Sequence, residues 1–294
     1  MSLAVKPLHP LFAAEILGAD LTRAPDETLI RTVEDAMDQY GVSVVRDAQI
    51  SDEDHIRFSR AFGPLELPPG LGRAGKRRLR AELYDASNLD VNDAIVPYDS
   101  EARRLAKGAE RFHSDSSFNS LPTKWSLLLG RIVPPAGGET CFVDTRAAYD
   151  TLPAETRARI AGLTAIHDFW RGRERTGLTG VTDAMRATMP PVTHPLVRTM
   201  PNGRRSLYIG GHAMGIVGWP QAQALALLDE LYAHATQERF VYVQHWRPWD
   251  LVIWDNRCTM HRATPLETDR YKRDVRRTTI SEYGPETSAD ALAA

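Results

Sequence analysis

The sequence predicts a mainly β fold with flanking helices, built around a double-stranded β-helix (jelly-roll) core. Three observations lead there. Short apolar runs recur along the chain and are bounded by turn residues, with 20 Gly and 19 Pro among 294 residues. Helical periodicity is confined to a few stretches between these runs. The length suits one all-β unit, so residues 1–294 are expected to form a single domain, without internal repeats or low-complexity tracts.

The elements follow in order. Pro25-Asp-Glu-Thr28 opens a helix with Leu29, Ile30, Val33, Met37 and Tyr40 on one face and Gly41 as its stop. Val42-Ser-Val-Val45 reads as a short buried strand. Ser51-Asp-Glu-Asp54 is a capping sequence, and its helix is expected to run to Gly63. Residues 66–80 are rich in Pro, Gly and basic side chains, and residues 90–110 are strongly charged, so 66–110 is expected to form a lid. Trp125–Val133, the Pro134-Pro135 and Gly137-Gly138 pairs, and Thr140–Val143 read as strand, turn, strand; a hairpin is the plainest form of that pattern. Leu152-Pro153 starts a helix to about Ile160, and Leu163–Phe169 is strand-like. Residues 170–188, with Arg171, Arg173, Arg175 and three glycines, are expected as a second lid. Pro191–Val197, Ser206–Ile209, Phe240–Trp246 and Leu251–Trp254 are short strands. Pro220–Ala235 is a helix with Ala224, Leu227, Leu228 and Leu231 inward. Near the end, Arg273, Val275, Arg277 and Thr279 alternate with Arg276, Thr278 and Ile280, as in a strand.

Bulk composition excludes several classes. A net charge of −2 gives no reason to expect a nucleic-acid partner. The basic cluster Lys76-Arg-Arg-Leu-Arg80 reads as a solvated loop. Cys141 and Cys258 are too few for a disulfide framework and are expected as reduced, buried thiols. Met1–Pro10 lacks a signal-peptide pattern, and no apolar run reaches membrane-spanning length. A soluble cytoplasmic protein without membrane partners is the expectation, and nothing in the sequence excludes a homo-oligomer.

The candidate chemistry begins at His113-Ser-Asp115, joined by His261 in Trp254-Asp-Asn-Arg-Cys-Thr-Met-His261. On a strand, residues i and i+2 project to one side, so His113 and Asp115 can reach one ion. Two imidazoles and one carboxylate on one face of a metal leave the opposite positions open, as in non-haem Fe(II) oxygenases. A tripeptide of this kind also occurs by chance at surface strand ends. The arginine-bearing face of the terminal strand adds weight. An arginine pointing into a barrel needs a buried anion, and a dicarboxylate suits its planar fork. The other histidines, His9, His55, His167, His194, His212, His234 and His245, lack ligand spacing and are expected in packing or surface roles. His212, after a strand in Ile209-Gly-Gly-His212, is also a candidate pocket residue.

The order His-x-Asp, Gly137-Gly-Glu-Thr140, Trp254-Asp-Asn-Arg257, His261 and Arg273-x-x-x-Arg277 resembles the taurine dioxygenase family. The likeness extends over nearly the whole chain, through Pro7–Ala14, Phe62-Gly-Pro-Leu-Glu66, Ala147–Pro153, Met189–Val192, Pro195–Thr199 and His234-Ala-Thr-Gln237, and is strongest to its aryloxyalkanoate-degrading members. It implies Fe(II) held by His113, Asp115 and His261, with 2-oxoglutarate as cosubstrate and O₂ as oxidant. It implies that Arg273 and Thr140 take the distal carboxylate of 2-oxoglutarate, that Arg277 lies near its C1 carboxylate or an anionic substrate, and that Trp254 belongs to the pocket wall. The implied substrate is a small anionic organic molecule, an aryloxyacetate such as 2,4-dichlorophenoxyacetate, converted to a phenol and glyoxylate with succinate and CO₂ as coproducts. Where the herbicide-degrading members carry a lysine suited to the substrate carboxylate, this chain has Gly70, with Arg73, Lys76 and Arg77 as candidate replacements. A sulfonate or another carboxylic acid remains open as substrate. So do two other classes. A zinc hydrolase could use the same three ligands, and a jelly-roll protein could bind without catalysis. The pair Thr140 and Arg273 discriminates, because a hydrolase needs no dicarboxylate clamp.

Overall fold

The computed structural model describes residues 2–67, 77–97, 100, 107–266 and 270–282. Its centre is a seven-stranded sheet. In spatial order this contains β1 (Ala4–Pro7), β2 (Ala14–Leu17), β3 (Val42–Val45), β13 (Asp250–Asp255), β5 (Thr123–Ile132), β15 (Asp274–Ser281) and β4 (Tyr84–Asp85). A three-stranded sheet holds β6 (Thr140–Asp144) between β12 (Val241–Gln244) and β14 (Thr259–Ala263). Smaller sheets join β11 (Ala213–Ile216), β7 (Thr164–His167) and β8 (Val192–Pro195), and β10 (Arg205–Leu207) with β9 (Val197–Thr199). The fold is mainly β with flanking helices, as expected, and its sheets remain open.

The two-residue period of a strand explains the layering. On the large sheet Val45, Leu127, Leu129, Leu251, Ile253 and Ile280 point to one side, where they pack with helices α1 (Glu27–Tyr40) and α2 (Asp52–Arg60). The intervening Val42, Val44, Leu128, Val252, Trp254 and Val275 point to the other side, against Phe142 of β6 and Tyr242 of β12. This second interface is the inside of the sandwich. Cys141 and Val143 of β6 face a third apolar layer with Leu227, Leu228 and Leu231 of a long helix, Gln221–Ala235. Each fully buried leucine there is worth about 1.5–3 kcal/mol. Cys141 and Cys258 are buried free thiols.

Helix ends follow local chemistry. Asp26 caps α1 by accepting from Leu29 N, and Gly41 ends it at φ 68°. Ser51 and Asp54 form a capping box on α2, which stops at Arg60, short of the expected Gly63. The strand-turn-strand around Gly137-Gly138 is no hairpin. β5 pairs with β13 and β15, whereas β6 pairs with β12 and β14. Two consecutive left-handed glycines, φ 75° and 73°, turn the chain out of one sheet and into the other.

Residues 170–188 are largely helical, in Phe169–Arg175 and Asp183–Thr188. Of the segment 66–110, residues 68–76, 98, 99 and 101–106 lie outside the described residues, and with them Gly70, Arg73 and Lys76. In the described part, Tyr84 and Asp85 pair with Arg277 and Arg276 of β15. The expected solvated basic loop is corrected at Arg78, while Arg77 and Arg80 are exposed. The Arg78 side chain, 6% exposed, pairs with Asp85 at 2.9 Å and Asp274 at 2.8 Å. A buried guanidinium requires such partners, and Asp274 lies 196 residues along the chain. Among the described residues, no helix is long and apolar enough to cross a membrane.

His55 on α2 is fully buried against Thr278 of β15, with Nε2 3.2 Å from Oγ1, and burial pushes its pKa down to about 4. The unfolded chain takes up this proton near pH 6.5, whereas the fold resists it until about pH 4. Stability is therefore lost as pH falls through that window, by ~3 kcal/mol at ~1.4 kcal/mol per pH unit. His55→Gln should flatten the dependence of urea-unfolding stability on pH below 6.5. Parallel slopes for variant and wild type would refute the assignment.

Candidate active site

The inner faces of the two sheets carry the site. His261 on β14 stands opposite Phe142 of β6. His113 was expected on a strand together with Asp115, but it forms a single antiparallel bridge to His261, with backbone N–H···O bonds of 3.0 and 2.8 Å. It therefore lies beside the sheet that carries His261, rather than across from it. After this bridge the chain turns, with Ser116 at φ 45°, so Asp115 lies in a turn. Glu66 pins this turn by accepting from Ser116 Oγ (2.6 Å), Asn119 Nδ2 (3.3 Å) and Thr123 Oγ1 (3.0 Å). A left-handed non-glycine residue needs such support.

His113, Asp115 and His261 are all buried, and their ligand atoms lie within 4.8 Å of one another. Asp115 Oδ1 is 4.0 Å from His113 Nε2 and 3.7 Å from His261 Nε2. His113 Nδ1 contacts Arg111 O at 2.9 Å, which fixes the proton there and leaves Nε2 as a lone pair. Burial holds both imidazoles neutral, with His261 pushed down to about 3. Burial opposes the charge on Asp115, but the lowering effects, Arg277 foremost, more than offset it and hold the carboxyl below its usual range. Arg277 Nη1 donates directly to Asp115 Oδ1. Two neutral nitrogens and one carboxylate are a donor set that fits Fe(II).

Two further residues support the carboxylate, and sequence reading did not single them out. Ser126 Oγ donates to Asp115 Oδ2 at 2.7 Å. Asn256 Oδ1 accepts from Asp115 N at 2.9 Å and from Trp254 Nε1 at 3.0 Å, while its Nδ2 donates to Ser126 Oγ at 3.0 Å. This closed set of hydrogen bonds fixes the orientation of the carboxylate. Ser126 was detectable as the polar residue inside an apolar run. Trp254 is buried with its ring 4.6 Å from that of His261, so it backs the histidine.

Arg273 is the informative cation. The residue is partly buried with its Nε fully covered, and burial alone pushes it down to about 10. Its Nη1 donates to Ala86 O at 3.1 Å, whereas Nε has no hydrogen-bond partner. Among the described residues no carboxylate pairs with it. Gly138 adjoins it; a Cβ there would lie 3.6 Å from Arg273 Nε. Two residues on, Thr140 Oγ1 accepts from Trp246 Nε1 at 3.1 Å, which directs the threonine's own proton elsewhere. Trp246, another residue missed in the sequence, thereby orients the hydroxyl. An ionised arginine left buried in this way calls for an anion. His212 is buried near the candidate metal-ligand group, 5.8 Å from the His113 ring and hydrogen-bonded to Ser117 Oγ at 3.1 Å.

Comparison with known proteins adds three findings. The model of the taurine catabolism dioxygenase TauD, TfdA family matches residues 4–279. An alpha-ketoglutarate-dependent 2,4-dichlorophenoxyacetate dioxygenase of Cupriavidus pinatubonensis is 41% identical over 283 residues, covering 95% of this chain and 98% of the relative. Another of that description, from a Burkholderia species, is 39% identical over 95% of this chain and 94% of its own. A solved structure, AAD-2 in complex with Mn(II) and N-oxalylglycine, superposes with a TM-score of 0.89 at 38% identity, covering 98% of this chain and all of that one.

Proposed function

Because the chain belongs to the taurine catabolism dioxygenase TauD, TfdA family, we propose that it hydroxylates an aryloxyacetate such as 2,4-dichlorophenoxyacetate. It is a 2-oxoglutarate-dependent dioxygenase that uses Fe(II) and O₂. The observation that carries the cosubstrate reading is Arg273, a partly buried arginine with a covered Nε and without a carboxylate partner among the described residues, immediately before β15. His113, Asp115 and His261 hold the iron. Arg273 and Thr140 take the distal carboxylate of 2-oxoglutarate, and Arg277 lies by its C1 carboxylate or the substrate anion. Trp254 walls the pocket behind His261. When bound, the iron and its cosubstrate supply the oxidising power, and succinate and CO₂ are the coproducts.

The chain's own residues bind, aim and exclude water. Ser126 and Asn256 hold the Asp115 carboxylate in one orientation. Arg111 O keeps the His113 proton on Nδ1. Arg277 offers a positive charge beside the reacting position, so an anionic substrate is drawn in and oriented. Hydroxylation of the carbon between carboxylate and ether oxygen gives a hemiacetal, which collapses to a phenol and glyoxylate. The reading that the substrate is an aryloxy acid draws on the two 2,4-dichlorophenoxyacetate dioxygenases, at 41% and 39% identity.

A panel assay tests it. Purified protein with Fe(II), 2-oxoglutarate and 2,4-dichlorophenoxyacetate should release the phenol and succinate in equal amounts, well above decarboxylation without substrate. Brisk turnover of a sulfonate or aliphatic acid, with no phenol from any aryloxy acid, would overturn the substrate class and leave the dioxygenase standing.

A further inference from the structure

One arginine outside the set considered so far reaches the site from the helix Phe169–Arg175. Arg173 lies over the Phe169 ring, with Cζ 4.9 Å from its centroid. Its guanidinium is seated on Gly108, where an added Cβ would stand 1.4 Å from Nη1 and 2.5 Å from Cζ. The two segments expected as lids therefore meet at this contact. From Phe169 the rings continue inward. Phe169 stacks on His212 at 5.8 Å, Phe118 closes the angle at 4.8 Å from Phe169 and 5.0 Å from His212, and His212 stands 5.8 Å from His113. The helix is held against this wall by Gly172, where a Cβ would meet Gly211 O at 2.4 Å.

We propose that Arg173, together with Arg277, binds the carboxylate of the substrate while the aromatic wall of Phe118, Phe169 and His212 receives its ring. The inference rests on the aryloxyacetate reading above and deepens it. Electrostatics agree with the geometry. Burial pushes the Arg173 guanidinium down, while Tyr84 and the Asp115 carboxylate act to raise it. Tyr84 also lies under Arg277, whose Cζ is 4.7 Å from its ring. Two arginines from different elements thus both act on the Asp115 carboxylate, Arg277 by direct contact and Arg173 through its charge. An arginine stacked on one ring and seated on a glycine loses little freedom when it accepts an anion, and a planar fork suits a carboxylate. The cation lacking at position 70 would then be supplied from the opposite lid segment. The sequence placed Arg173 in the expected second lid, between Arg171 and Arg175, without singling it out from them.

The test uses the Mn(II)- and N-oxalylglycine-loaded protein, which binds without turning over. Calorimetric titration compares 2,4-dichlorophenoxyacetate with the uncharged 2-(2,4-dichlorophenoxy)ethanol in wild type, Arg173→Gln, Arg173→Lys and Gly108→Ala. Arg173→Gln should weaken the acid roughly 10- to 150-fold, the range for a lost hydrogen bond to a charged group, and leave the alcohol unchanged. Arg173→Lys should keep part of the affinity. Gly108→Ala, which displaces the guanidinium and keeps its charge, should also weaken the acid selectively. If Arg173→Gln does not fold, the same contrast is read on the other two variants. Equal losses for acid and alcohol, or unchanged affinity for the acid, would overturn the assignment. So would an effect confined to the affinity for N-oxalylglycine, titrated into the Mn(II)-loaded protein. A wild type that binds no aryloxy acid overturns the substrate reading itself, and the role of Arg173 with it.

Discussion

Asp115→Ala is expected to abolish turnover and to remove most of the iron. Asp115 is the only carboxylate in the candidate ligand group, and its Oδ1 faces both imidazole nitrogens. Loss of a group that merely orients a ligand costs about 10- to 100-fold in metal affinity, so loss of the ligand itself should exceed that. Ser126→Ala, which removes the 2.7 Å hydrogen bond to Oδ2, sets the scale for the smaller effect. Asp115→Ala also leaves Arg277 without the oxygen it now contacts, so Asp115→Asn is the companion variant that keeps the volume. Equilibrium dialysis against Fe(II), read beside succinate formation and thermal melting, separates loss of metal from loss of fold. Near-normal iron content and activity in Asp115→Ala would refute the ligand set of His113, Asp115 and His261.

Arg273→Gln carries the second largest effect. On the proposed assignment, a charged contact to the distal carboxylate of 2-oxoglutarate is replaced by a neutral one, at about 1.5–3 kcal/mol, or roughly 10- to 150-fold in affinity. The fold gains, because a cation that burial already disfavours is removed. Affinity and stability should therefore move in opposite directions. Thr140→Val should cost roughly 2- to 10-fold, as loss of an ordinary hydrogen bond. The measurements are the KM for 2-oxoglutarate and the melting temperature. An unchanged KM for Arg273→Gln would count against this arginine and point to Arg270 or Arg276. Arg276 already pairs with Asp52 and Asp274, which leaves it poorly placed to serve a ligand.

Much of the fold was legible where local rules decide the outcome. The stop at Gly41, the capping box at Ser51 and the apolar face of Gln221–Ala235 depend on neighbours a few residues away. So does the alternation in β15, which places Val275 inside the sandwich and sets Thr278 against His55 and Ser59 of α2. The i, i+2 spacing of His113 and Asp115 suggested a strand, but only one backbone bridge forms before Ser116 turns the chain. Their side chains still converge, because the turn is tied down by Glu66. What failed had long-range causes. Arg78 lies in a basic run that reads as solvated, and its partner Asp274 is 196 residues away. Asn256 was inside a noted motif, yet its hydrogen bonds to Asp115 and Ser126 appear only once three segments meet.

The β6–β14 ladder has a consequence for cosubstrate choice. His261 pairs with Phe142, and Ala263 pairs with Thr140, so the histidine and the threonine are two rungs apart on one face. At ~3.3 Å per residue this fixes their separation along the strand near ~6.6 Å. On the proposed assignment one end of the diacid is held at each rung, so the hydrogen-bonded ladder serves as a gauge of chain length. A four-carbon oxo-diacid would fall short of the threonine, and a six-carbon one would have to buckle. Discrimination among metabolic oxo-acids would then be written into backbone register, where no side-chain exchange at the pocket surface could readily relax it.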